Sequence, residues 1–306
     1  MSHQTLMWLS FTIIIAIMLF VDLGLQRKSH EVSFREALFW SLIWITLAML
    51  FTIGISLELG KQKALEFLTG YIIEKSLSVD NLFVFIMIFS YFHVPKGYQP
   101  KILKWGILGA LIMRALFIFV GIELLHAFHW MIYLFGAILI ITGIRMSTSN
   151  DGDIRPEKNL MVRLVRRFVP ITKRIKSDRF FVRRSGLWAA TPLFLTLVVV
   201  ESSDVIFAVD SIPAILAVTT DPFIVYTSNI FAILGLRALY FLLASMLGLF
   251  VYLKLGVSFI LAFVGVKMLL ADIYPIPVHF SLGVILAALT ISIVTSLTIG
   301  NRHKQP

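Results

Sequence analysis

The 306-residue chain is 58% hydrophobic and only 14% charged, with a mean hydropathy of +0.91. A soluble domain is roughly 45–50% apolar and about 25% charged. This composition therefore excludes a secreted, nucleic-acid-binding or ordinary cytosolic protein and points to a polytopic membrane protein. The net charge is +10 and there is no cysteine, which excludes disulfides, thiolate metal sites and thiol redox chemistry by this chain alone.

Apolar runs predict nine spans, near residues 6–25, 38–57, 67–90, 102–123, 129–145, 188–211, 223–247, 254–271 and 278–298. No period-two alternation appears, so the expected fold is an all-α bundle rather than a barrel. Trp40, Trp44, Trp105, Trp130 and Trp188 fall near span ends, either as interfacial aromatics or as packing residues. No Lys or Arg precedes Arg27, so the first span lacks the basic region of a cleaved signal and is expected to be retained with its N-terminus outside. With that orientation, 21 of the 27 Lys and Arg fall on the inner side, three outside (Lys61, Lys63, Lys267) and three within spans (Lys75, Arg114, Arg237). This asymmetry is the positive-inside pattern, and nine spans then place the C-terminus inside.

Five segments follow: a two-span region (1–66), a three-span unit (67–145), a basic inner loop (146–187), a second three-span unit (188–271) and a final span with its tail (272–306). The loop combines Arg and Lys with Leu160, Leu164, Phe168 and Val169, and is expected to form an amphipathic helix on the anionic inner leaflet. No nucleic-acid partner is expected.

The two three-span units resemble each other. Ser78-Val79-Asp80-Asn81-Leu82-Phe83 matches Ser202-Ser203-Asp204-Val205-Ile206-Phe207, Arg114-Ala115-Leu116-Phe117 matches Arg237-Ala238-Leu239-Tyr240, and Gly143-Ile144-Arg145-Met146 matches Gly265-Val266-Lys267-Met268. The intervals are 34 and 29 residues in one copy and 33 and 28 in the other. Three spans per copy would invert the second copy relative to the first, as in secondary transporters. A duplicated scaffold without transport would carry the same pattern.

Acids stand inside the predicted spans: Glu74 and Asp80 in the third, and Glu201, Asp204 and Asp210 in the sixth. An Asp at a helix centre costs about 2.5–3.5 kcal/mol on insertion scales. These acids must therefore face a cavity, pair with bases or bind cations. At about 100° per residue, Glu74, Ser78 and Asn81 share a face, as do Glu201 and Asp204, with Ser202 nearby. Asp210-Ser211-Ile212-Pro213 is expected to interrupt its helix, because proline removes a backbone donor. Carboxylate, amide and hydroxyl oxygens without cysteine suit a hard divalent cation such as Mg²⁺, Mn²⁺ or Ca²⁺. Glu74, Asp80, Asn81, Glu201, Asp204 and Asp210 are the candidate metal ligands, supported by Ser78 and Ser202. The competing arrangement is a salt-bridge lattice with Lys75, Arg114 and Arg237, which would still leave two of the five acids unmatched. Weaker candidates are Asp22, the pair His126 and His129, and Glu58 and Glu66 at the outer entrance.

The stretches Leu68-Thr69-Gly70-Tyr71-Ile72-Ile73-Glu74-Lys75-Ser76-Leu77-Ser78-Val79-Asp80-Asn81 and Glu201-Ser202-Ser203-Asp204-Val205-Ile206-Phe207-Ala208-Val209-Asp210-Ser211-Ile212-Pro213 resemble the signatures of the TerC family. Val21-Asp22-Leu23-Gly24-Leu25 and Glu36-Ala37-Leu38-Phe39-Trp40-Ser41 are similar to its Alx branch. The resemblance implies membership of the LysE-type transporter group, a bacterial inner-membrane location, a link to tellurium resistance and export of Mn²⁺. Proton exchange at the same carboxylates would supply the coupling. The other expectation is a non-transporting membrane component of a tellurium, metal or redox stress response. No nucleophile elbow, HExxH, CxxC or P-loop is present, so neither an enzyme nor a tightly bound cofactor is expected.

Overall fold

The computed structural model describes residues 3–24, 32–148, 167, 170–172, 178–184, 187–245 and 252–299. Among them the chain forms ten α-helices: α1 (His3–Gly24), α2 (Phe34–Glu58), α3 (Lys61–Tyr91), α4 (Gln99–Ala127), α5 (Met131–Thr148), α6 (Pro192–Leu216), α7 (Pro222–Ile233), α8 (Leu236–Ser245), α9 (Leu253–Leu269) and α10 (Val278–Ile299). An antiparallel hairpin, β1 (Phe181–Arg184) with β2 (Leu187–Ala190), precedes α6.

Each expected span coincides with a helix, the seventh with two. By length and composition α2, α4, α5, α6 and α10 can cross a membrane, and the bent pair α7–α8 makes a sixth. The other three fall short for visible reasons. The apolar stretch of α1 covers only Met7–Val21. α9 has 17 residues, and α3 carries Glu74, Lys75 and Asp80 in its middle. Large apolar side chains cover much of the outer surface: Phe20, Leu57, Ile112, Phe119, Ile141 and Ile291 are all exposed. Such a belt has no stable home in water and fits a bilayer.

Inside, α3 lies against α6 and α7, α4 against α6, and α9 along α5, with α2 and α10 outside this group. An aromatic cluster joins α1, α2, α3 and α7; Phe51 stacks on Phe231 with ring centroids 4.6 Å apart, and Phe67 stacks on Tyr71. α5 and α9 meet almost backbone to backbone. A methyl at Gly136 would fall 2.9 Å from the Gly265 carbonyl oxygen, one at Gly265 would fall 2.7 Å from the Gly136 oxygen, and one at Gly143 would fall 2.7 Å from the Ser258 oxygen. The first index rises as the second falls, so the two helices are antiparallel. Small residues permit this approach, as they do at close helix contacts in membranes.

Three expectations change. First, α6 runs without interruption from Pro192 to Leu216. Pro213 stands in its last turn; it removes the donor to the Val209 carbonyl, yet its own carbonyl still accepts from the Ala217 amide at 3.0 Å and the helix runs on to Leu216. The interruption lies instead between α7 and α8, which are bent by 42°. Gly235 there has φ +79°, a conformation that favours glycine, and the Trp44 ring fills the space that a side chain would need. Second, Phe181–Arg184, the end of the stretch expected to be an amphipathic helix, is strand β1, and Leu187–Ala190, where the sixth span is expected to begin, is its partner β2. Residues 149–166, which include Leu160 and Leu164, and Phe168, Val169, 173–177 and 185–186 lie outside the described residues. Trp188 belongs to β2 and is 65% exposed, whereas Trp44 is buried packing. Third, Lys267 is not in an outer loop but is buried on α9.

The turn after α9 is tied back to α5. Tyr133 donates its hydroxyl to Asp272 Oδ2 at 2.6 Å, and His129 Nε2 lies 2.9 Å from the same oxygen. His129 thus faces a carboxylate on another element, not a metal pair with His126. These contacts, the Tyr133 hydrogen bond first and His129 second, hold the Asp272 carboxyl below its ordinary value.

Two outcomes follow. Gly265→Ala should destabilise the protein by about 1–3 kcal/mol through overpacking, seen as earlier thermal unfolding in detergent. A depressed folded pKa contributes stability above the unfolded value and loses it as pH falls through the folded one. Asp272→Asn should therefore melt earlier than the parent at pH 6, with the difference disappearing progressively below pH ~3.9. A difference that persists at low pH would show that Asp272 acts by something other than its charge.

Candidate functional site

The site grows from one face of α3. Glu74, Ser78 and Asn81 recur at helical spacing and all three are buried, Glu74 completely. A buried carboxylate needs a cation or hydrogen-bond donors. Arg114, in the middle of α4 and 2% exposed, supplies both. Its Nη1 pairs with Glu74 Oε1 and donates to Asn229 Oδ1 of α7 at 3.3 Å. Asn229 in turn donates through Nδ2 to Glu74 Oε2 at 3.3 Å. The other arm of the guanidinium, Nη2, lies 3.6 Å from Asp204 Oδ1 of α6. Four helices therefore converge on one charge network: α3, α4, α6 and α7.

With both acids ionised the network carries two negative charges against one positive. The second oxygen of Asp204, Oδ2, is buried and has no hydrogen-bond partner among the described residues; the same holds for Arg114 Nε, Ser78 Oγ and Ser211 Oγ. Buried polar atoms are nearly always satisfied. The arrangement thus has room for one more positive charge at Asp204, as a proton or as a cation held by oxygen.

The remaining predicted residues divide. Glu201 stands one turn from Asp204, and its carboxylate fills the space that a side chain at Gly109 of α4 would need. Glycine at 109 is what lets this carboxylate reach the α4 backbone. Asp210 turns elsewhere: its Oδ1 accepts from Thr142 of α5 at 2.8 Å. Ser202 donates to the Val198 carbonyl at 2.7 Å, within its own helix. Arg237 is buried on α8, and Lys75 donates to the carbonyls of Ala232 and Leu234 at 3.2 and 3.3 Å. Asp80 belongs to α3, but its side chain lies outside the described residues, as does that of Asp22. Glu66, near the N-terminal end of α3, accepts from Gln62 and Lys63, and Lys63 also pairs with Asp221 at 3.0 Å. Among the described residues, no three His, Asp or Glu side chains form a metal-ligand cluster.

Asn229 is the residue that sequence reasoning missed. Its signal was present: Thr227-Ser228-Asn229 is a polar step inside the otherwise apolar Phe223–Ile233 segment. Such a step in lipid calls for a partner as much as an acid does.

Comparison with known proteins agrees with this architecture. Residues 59–304 match the integral membrane protein TerC family. An uncharacterized membrane protein of Myxococcus xanthus is 50% identical over 97% of this chain and 93% of its own length. Proteins called "Putative membrane-bound redox modulator Alx" are 48% identical in Salmonella typhi and 47% identical in Escherichia coli K12, each over 97% of this chain and 96% of their own. No solved structure matches.

Removing one partner of a buried ion pair costs about 3–5 kcal/mol. Arg114→Gln should lower thermal stability by that order. The double variant Glu74→Gln with Arg114→Gln should recover a large part of it, because the orphaned carboxylate is gone. Additive losses in that double-mutant cycle would show that the two side chains are not coupled.

Proposed function

Because the chain belongs to the TerC family of integral membrane proteins, we propose that it exports a divalent metal cation, Mn²⁺, across the bacterial inner membrane in exchange for protons. The observation that carries this reading is the unpartnered Asp204 oxygen inside a network that is one positive charge short. A carboxylate there can hold a proton in one state and a hard cation in another. Asp80, its counterpart in the repeat, would complete the pair, with Glu201 one turn away and Asn81 supplying an amide oxygen. Glu74, held by Arg114 and Asn229, and Asp210, held by Thr142, would have to exchange those partners to join as secondary ligands. Such an all-oxygen site suits Mn²⁺, and with no cysteine in the chain it offers nothing to soft metals through thiolate.

The pathway would run between inverted three-helix units, α3–α5 and α6–α9, with nine crossings, the N-terminus outside and the C-terminus inside. Two packing features support this. The first helix of each unit lies on the second helix of the other, α3 on α7 and α6 on α4, as a two-fold relation requires. Matching Gly143 with Gly265 also matches Gly136 with Ser258. The contact of Gly143 on Ser258 then exchanges with that of Gly265 on Gly136. Antiparallel α5 and α9 fit one unit lying upside down relative to the other.

Coupling follows from energetics. Moving a doubly charged ion outward against an inside-negative potential costs about 4.6 kcal/mol per 100 mV. Proton entry through the same carboxylates offsets that cost without a second site.

A second reading has an observation in its favour. Glu74 is already neutralised by Arg114. Permanently paired charges would suit a non-transporting membrane component of a tellurium, metal or redox stress response. The redox role named for its relatives would have no thiol in this chain to use. The swap Glu74→Arg with Arg114→Glu separates the two readings: a scaffold keeps its function, and the exporter does not.

The direct test is flux in proteoliposomes. Mn²⁺ should move faster with an imposed pH gradient and in preference to Mg²⁺, Ca²⁺ and Zn²⁺. Asp80→Asn and Asp204→Asn should each abolish the flux while inserting normally. Full flux in both variants would remove these residues from the site.

A further inference from the structure

We propose that the carbonyl end of α7 is a second cation subsite, distinct from the carboxylate network, and that the ammonium of Lys75 fills it in this conformation. This inference goes beyond the exporter reading and does not depend on it.

A helix end leaves its last carbonyls without intrahelical donors and carries a partial negative charge. At a protein surface water satisfies them. Here the end is internal. The Leu234 amide still donates back to the Ile230 carbonyl at 2.9 Å, and the next helix starts when the Leu239 amide donates to the Gly235 carbonyl at 2.9 Å. Residues 230–236 are all buried between these two bonds. Buried backbone carbonyls in an apolar setting must find donors. The positive φ of Gly235 turns the chain so that the carbonyls of Ala232 and Leu234 both point at one atom, the Lys75 ammonium, at 3.2 and 3.3 Å.

Two carbonyl oxygens converging on one positive centre is the geometry of a cation site, and the ammonium is its stand-in ion. The neighbouring residues of α3 keep the two sites apart. Glu74 faces Arg114 and Asn229, while Lys75, about 100° further round the helix, faces the break. The Trp44 ring closes the opposite side against Gly235. The ammonium that these two carbonyls hold points to a small singly charged ion as the occupant: a primary ammonium, K⁺ or Na⁺.

The test is thermal unfolding of the full chain in detergent, without transport substrate, so that failure of the exporter reading would leave it intact. Lys75→Ala should unfold several degrees below the parent. Methylammonium or ammonium chloride at tens of millimolar should restore most of that shift in a saturable way. Tetramethylammonium chloride at equal ionic strength should restore none, because it is too large and has no N–H. The parent protein should respond to none of these salts. Lys75→Arg should unfold close to the parent, and Lys75→Met well below it. If Lys75→Ala and Lys75→Met fail to accumulate while Lys75→Arg does, the need for a cation stands. Equal melting of Lys75→Met and the parent would overturn the proposal, and so would a Lys75→Ala defect that no small cation repairs.

Discussion

A single guanidinium, Arg114, faces two buried carboxylates that belong to different helices. Everything near the centre of the molecule is arranged around that shared charge. Glu74 sits on α3 and Asp204 on α6, so the position of α4 between them is set electrostatically as well as by packing. Asn229 adds α7 to the same network. In an apolar interior such a group tolerates little displacement, since a charge left alone there is far costlier than one left alone in water. The hydrophobic contacts around it are numerous and interchangeable. The charge contacts are few and specific, and they settle which helix lies next to which.

The same logic applies to backbone. A helix in lipid normally satisfies its own amides and carbonyls, so a break is tolerated only where other groups take over. Lys75 takes over at the α7–α8 break. Adjacent residues of α3 therefore discharge two separate obligations, one to a side-chain cation and one to backbone carbonyls. This accounts for an acidic residue beside a basic one in the middle of a long helix, a pattern that apolarity alone would forbid.

How much of this could be read in advance depended on the kind of signal. Helix positions were legible because apolar runs are long and their ends are marked by charge; all nine expected spans fall on helices. The buried face of α3 was legible from the spacing of Glu74, Ser78 and Asn81. The break was misplaced because proline is a louder signal than glycine. Pro213 leaves α6 continuous to Leu216, while Gly235 breaks its span at a point where the Trp44 ring and the Lys75 ammonium both pack. Those partners lie far away in sequence. Asn229 was passed over because a neutral amide draws less attention than an acid, although burial makes similar demands of both. The pairing of β1 with β2 was hidden because Arg183 and Arg184 read as loop charge and the apolar Leu187–Ala190 as the start of a span.

The glycine seam between α5 and α9 bears on how the molecule can deform. At Gly136, Gly143 and Gly265 these helices meet a main-chain oxygen of the other helix directly, with the Leu269 and Ile140 side chains packed alongside. Carbonyl oxygens against Cα atoms have no alternative rotamers to adopt. The two helices consequently travel as one plank, although they come from opposite halves of the chain. Any displacement of one half against the other must leave that plank whole and be accommodated where α3 meets α7 and α4 meets α6. That is where Arg114 holds its two carboxylates, so any such displacement has to act on the charged centre itself.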